Sequence, residues 1–169
     1  MKHIVVALLF ITTFGHILSQ EATSKEIANQ INEQVWIPFT ESYSARDAIR
    51  FNSLHTDDVL RITKKGILKG DEYKNRNLRW LSKSNQPRRT INFRFEHRIH
   101  SENIAYEVGY YKVVNDGPNG EDDISCGRFN VVLEKMDGIW KIAQDWDTNA
   151  VNGVDVTLGN FERLEVWGK

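Results

Sequence analysis

Two acids two residues apart, Asp145 and Asp147, close a segment that otherwise reads as an ordinary strand, Ile139-Trp-Lys-Ile-Ala-Gln-Asp-Trp-Asp147. Alternation puts both carboxylates on one face. Carboxylates sharing a dry site can act as an acid/base pair with one raised pKa; the same acids at a wet strand end are merely solvated. His55, close to Asp57 and Asp58, has the residue types of a His-Asp catalytic pair, though such a segment more often hydrogen-bonds its own turn. His97 and His100 have opposite strand parity and cannot converge on one ion, and no cysteine pair stands nearby, so no metal site is expected. No Ser-His-Asp order and no glycine-rich phosphate loop is present.

Composition bounds the rest. The chain has 169 residues, 40% hydrophobic and 27% charged, which suits one globular domain. Its first twenty residues stand apart: a positive start at Met1-Lys2-His3, an apolar run from Ile4 to Phe14 and the small residue Ser19 have the layout of a secretory signal. The run is too short to span a bilayer, which takes roughly 20 apolar residues. The expected organisation is a signal peptide over 1–20, a domain over 21–150 and a tail over 151–169, in a secreted or periplasmic protein without stable membrane insertion. Without Lys2 the 22 basic residues fall to 21 against 23 acidic ones, and that balance argues against a nucleic-acid partner. Cys126 is the only cysteine, so no internal disulfide is available.

The elements that would position the acids run helices first and strands later. Thr23-Ser24-Lys25-Glu26 reads as a capping box. Ile27, Ile31, Val35, Phe39 and Tyr43 then recur at steps of four, and Pro38 inside that stripe predicts a kink. A short helix follows around Asp47 to Leu54, then a strand from Val59 to Thr63, a Lys64-Lys65-Gly66 turn and a second strand through Lys69. Gly70-Asp71 opens a third helix, with Tyr73, Asn77, Trp80 and Leu81 on one face, stopped by Asn85-Gln86-Pro87. In the next strand Ile91, Phe93, Phe95 and Ile99 alternate with polar residues. Strands over 103–114 and 124–135 lead through the tight Asp137-Gly138 turn into the segment with the acids.

This order resembles the NTF2-like, or SnoaL-like, superfamily, and within it the DUF4440 branch related to the association domain of calmodulin-dependent kinases. The resemblance is carried by Trp36 and Phe39, Asp47, Ser53-Leu-His-Thr-Asp-Asp-Val59, Ile104-Ala-Tyr106 with Gly109-Tyr-Tyr111, and Gly127-Arg-Phe-Asn-Val-Val-Leu133 running into Asp137-Gly-Ile-Trp-Lys-Ile142. It implies an α+β cone, a half-barrel in which a bent, mostly antiparallel sheet wraps about three N-terminal helices around a cavity. Pocket arginines of the kinase domains match near Val108, Val131 and Asp147. That match puts Tyr106, Tyr110, Phe129, Val131, Asp145 and Asp147 on the cavity side, with Tyr43 and Trp80 serving as core or ligand platform. It leaves Trp140, Ile142 and Trp146 on an outer face suited to a homodimer. Ketosteroid isomerase, of the same superfamily, has its general base and oxyanion-hole tyrosine at places that fall on Thr63 and Phe39, and neither residue can do that chemistry.

The resemblance therefore implies a binding or accessory module for an apolar or amphipathic small molecule, without cofactor. A cofactor-independent isomerase, dehydratase or cyclase is the alternative, with Asp145, Asp147 or His55 as candidate catalytic residues. A dimerisation module with a vestigial pocket is a second alternative.

Overall fold

The computed structural model describes residues 24–82, 87–117 and 120–166. Residues 1–20, expected to be a signal segment, Thr23 of the expected capping box and Asn85-Gln86 lie outside the described residues.

Helix α1 is helical over 24–31, π-helical over Asn32–Trp36 and α-helical over Ile37–Ala45. The disturbance expected at Pro38 takes the form of that wide turn. The Ile37 N–H reaches back to the Asn32 carbonyl, five residues away, directly ahead of a residue with no N–H to give. Ile31 and Val35 of the stripe are fully buried and Phe39 nearly so. Arg46 ends the helix in the left-handed region at φ 57°. Asp47 then caps α2 (Ala48–Ser53), its Oδ1 accepting the Arg50 N–H at 2.9 Å.

Strands β1 (His55–Thr63) and β2 (Gly66–Lys69) form a hairpin, and α3 (Gly70–Leu78) passes into a 3-10 turn over Arg79–Ser82. The first strand thus begins at His55 rather than Val59, and Thr56-Asp57-Asp58 belong to it instead of forming a turn. The long strands are β3 (Arg89–His100), β4 (Ile104–Asp116), β5 (Asp122–Met136) and β6 (Ile139–Thr148). The sheet order is β2-β1-β6-β5-β4-β3, antiparallel throughout except that β1 and β6 run parallel. Its concave face closes on α1, where the Trp36 ring lies 4.7 Å from that of Phe93 and 5.4 Å from that of Phe129.

Two bulges decide which side chains face that core. Val132 pairs with Gln144 but Leu133 pairs with Ile142, so Ala143 is an extra residue in β6 and side-chain parity inverts across it. Asp145 and Asp147 point inward, and so do Trp140 and Ile142, which are 1% and 0% exposed. The outer-face patch of Trp140, Ile142 and Trp146 expected for a homodimer is therefore not formed; of the three, only Trp146 lies on the other face from the acids. In β3, Phe95 pairs with Gly109 and His97 with Val108, leaving Glu96 as the extra residue. Beyond it Ile99 turns out to 64% exposure, while His100 and Arg98 turn in to bind the buried Glu107 carboxylate, each at 2.8 Å. Trp36 Nε1 donates to the other Glu107 oxygen.

The described part of the tail, through residue 166, packs on the sheet. A small hairpin, β7 (Ala150–Val151) with β8 (Val154–Asp155), leads to α4 (Leu158–Glu162). Phe161 of α4 is buried against Tyr110 and Cys126 on the convex side of the sheet. Arg94 donates to the Glu162 and Leu164 carbonyls at 2.8 and 2.7 Å, satisfying the end of that helix.

Candidate functional site

Between α1, α3 and the concave face of the sheet lies a cavity of about 650 Å³. α3 contributes Tyr73, Arg76 and Asn77, at i, i+3 and i+4 on one helix face, and the 3-10 turn that follows adds Trp80. The floor is aromatic, with Trp36 and Phe39 from α1 meeting Phe93 and Phe129 from the sheet. Gly127 makes room for another ring: a Cβ there would stand 2.4 Å from the Tyr111 phenol, which crosses the β4–β5 pair at that point.

The polar wall is built from β1, β4 and β6. Parallel pairing sets Arg61 opposite Asp145, and its guanidinium straddles the two acids. Arg61 Nη1 donates to Asp145 Oδ1 at 3.2 Å and Nη2 to Asp147 Oδ1 at 2.8 Å. The second Asp147 oxygen accepts the Tyr111 hydroxyl at 2.9 Å, so both its oxygens are engaged. Burial pushes the Asp145 carboxyl above the ordinary carboxylate range; Arg61 opposes that shift and the neighbouring Asp147 adds to it. The Arg61 guanidinium, beside two carboxylates, is held more firmly charged than usual despite its burial. The Tyr73 and Tyr111 hydroxyls are pushed up, first by burial and then by the nearby acids, which keeps both protonated.

The acids are thus neither a solvated strand end nor an isolated carboxylate pair, because a cation from another strand joins them. Tyr43, Trp80, Phe129, Val131, Asp145 and Asp147 line the cavity. Tyr106 and Tyr110 do not. On β4 the odd positions 109, 111 and 113 face inward, so Tyr106 is 40% exposed on the convex side and Tyr110 packs under α4, its hydroxyl accepting from Arg163 at 2.9 Å. His55 and the acids near it form no catalytic pair: His55 Nδ1 bonds the Phe51 carbonyl at 2.9 Å, and the fully exposed Asp57 binds Lys74. Burial holds the His55 imidazole neutral down to about pH 3, and its Nε2 has no hydrogen-bond partner among the described residues.

Arg61, Tyr73 and Tyr111 were not legible as site residues. For Tyr111 the signal was present, since Gly109 and Gly127 mark strand positions where something large comes close. For Arg61 no local signal exists, because its place depends on the β1–β6 pairing.

No family model matches the chain, and no curated protein matches it by sequence. Solved structures do match. A protein of unknown function from Mycobacterium tuberculosis superposes with TM-score 0.63 at 15% identity, over 78% of this chain and 82% of that one. An NTF-2 like protein of unknown function from Shewanella oneidensis gives 0.60 at 17% identity, over 71% and 97%. A provisionally named calcium/calmodulin-dependent kinase II association domain from Xanthomonas campestris gives 0.53 at 18%, over 70% and 84%. The fold is NTF2-like. Within this NTF2-like cone, the places matched to the kinase-domain arginines divide: Val131 and Asp147 line the cavity, whereas Val108 lies outside its lining. Thr63 and Phe39, matched to the isomerase base and tyrosine, both line it.

Proposed function

We propose that the protein is an exported binding module, secreted or periplasmic, whose cavity takes an apolar or amphipathic small molecule. The export part rests on the character of residues 1–20. The binding part is carried by one observation: the cavity is not filled by side chains, and its aromatic floor meets one polar row, Arg61–Asp145–Asp147–Tyr111. An apolar floor joined to fixed polar groups suits an amphipathic small molecule, and an open volume of this size speaks against a vestigial pocket.

A metabolite pull-down read by mass spectrometry, repeated with Asp147→Asn, tests this reading. Ligand captured by the protein should be retained about tenfold less by the variant, as expected when one orienting polar contact is lost. Equal capture by both would remove the polar row from the site.

The enzymatic alternative, a cofactor-independent isomerase, dehydratase or cyclase, is favoured by one feature. Burial moves the Asp145 carboxyl toward the range of a general base. Asp145→Asn separates the two readings, because loss of turnover with retained affinity belongs to a base, while loss of affinity alone belongs to a binder.

A further inference from the structure

The charges around the cavity are unevenly placed. Its lining contains two carboxylates, Asp145 and Asp147, both held by Arg61. The other charged lining groups are cations: Lys64 and Lys65 from the β1–β2 turn and Arg76 from α3. Lys64 donates to Asn149 Oδ1 at 3.1 Å. The side chains of Lys65 and Arg76 make no ion pair among the described residues, and both are exposed. Asp71 and Glu72, on the same helix as Arg76, lie off its lining stripe. A chain whose formal charge is −1 thus presents cations at the rim of a cavity with an aromatic floor.

Building on the binding reading above, we propose that the ligand is an amphipathic anion: an aromatic or alkyl body in the cavity and one acidic group, carboxylate, sulfonate or sulfate, at Lys65 and Arg76. The orientation follows from the polar row. An anion pushed inward would meet Asp145 and Asp147, which share Arg61 as their one ion-pair partner among the described residues, and would put like charges together away from water. With the acidic end outward, the apolar body displaces water from the aromatic floor while the charge stays at the rim, where uncompensated cations draw anions in.

A matched pair of fluorescent probes tests this. 1-Anilinonaphthalene-8-sulfonate and N-phenyl-1-naphthylamine share an aromatic body, and only the first is an anion. The anionic probe should bind about tenfold tighter at low salt, and the gap should shrink at about 0.5 M salt, where the screening length is only a few ångströms. The double variant Lys65→Glu/Arg76→Glu should lose that preference and bind the neutral probe unchanged, which also shows the cavity intact. Thr63→Trp, which fills the mouth, should abolish both. Equal affinities that ignore the charge reversal would overturn the anion assignment and leave the binding reading standing. Anionic binding that survives Thr63→Trp would place it elsewhere and overturn the proposal. Failure of both probes to bind the unaltered protein would overturn the binding reading and the inference with it.

Discussion

Arg61 carries the polar wall, because without it two inward-facing carboxylates share one buried stretch of strand. Removing one partner of a buried ionic group leaves the rest uncompensated, at a cost typically of about 3 kcal/mol. Arg61→Met should lower stability by that order at pH 7 and by less at pH 5, where Asp145, already raised by burial, can answer by taking up a proton. Denaturant midpoints at the two pH values measure this; a pH-independent loss would mean that Asp145 is not the responding group. His55 governs a different window. Folded, it stays neutral to about pH 3 against an ordinary 6.5, so between those values the unfolded chain binds a proton that the folded chain refuses, and stability falls as pH falls. From pH 7 to pH 4 this contributes a loss on the order of 3 kcal/mol. His55→Phe should show a correspondingly flatter profile over that range, and an unchanged slope would rule His55 out. Asp145 runs the other way, since its raised pKa favours the folded state at low pH and loses that contribution as pH rises.

At the scale of elements, strand register depends on two glycines that serve different ends. A Cβ on Gly109 would sit 2.1 Å from the Arg94 backbone carbonyl, next to the β3 bulge, and backbone has little freedom to give way. Gly109→Ala should therefore cost about 2–3 kcal/mol, in the range of overpacked cores. At Gly127 the obstacle is the Tyr111 ring, a side chain that can move. Gly127→Ala should cost less stability but pull Tyr111 from Asp147, weakening ligand binding more than folding. Thermal melts and probe titrations on both variants test this division; a larger stability loss at Gly127 than at Gly109 would reverse it.

For the whole molecule, the tail matters more than its position suggests. Phe161 covers Tyr110 and Cys126, with Val156, Leu158 and Leu164 around it, so the segment after Thr148 closes part of the convex face of the sheet. Phe161→Ala should cost about 3 kcal/mol by the usual cost of emptying a buried aromatic site. It should also raise the rate at which a thiol reagent reaches Cys126, which is 9% exposed when covered. Unchanged thiol reactivity in a folded variant would show that the tail does not guard this face.

Local chemistry was readable along the chain because it needs only neighbours. The Asp47 cap, the Asp137-Gly138 turn, the shared face of Tyr73 and Asn77 on α3 and the alternation of the long strands follow from propensity and period, and their order was enough to expect an NTF2-like cone; Leu81, expected on that same face, is exposed in the 3-10 turn after the helix. The inward direction of Asp145 and Asp147 was legible through that resemblance. What the sequence could not carry was parity beyond an interruption. An extra residue inverts every side chain on one side of it, and nothing in Ala143 or Glu96 announces one. Trp140 and Ile142 therefore became core rather than interface, and Ile99 became surface. On β4 even and odd positions both carry apolar and aromatic residues, so only pairing with β3 and β5 could choose Tyr111 over Tyr106 and Tyr110 for the cavity. The partner of the two acids lies 84 residues from Asp145, on a strand joined to theirs by parallel hydrogen bonds. That partnership is a property of the closed sheet, since the hydrogen bonds that set Arg61 beside Asp145 exist only once β1 has docked against β6.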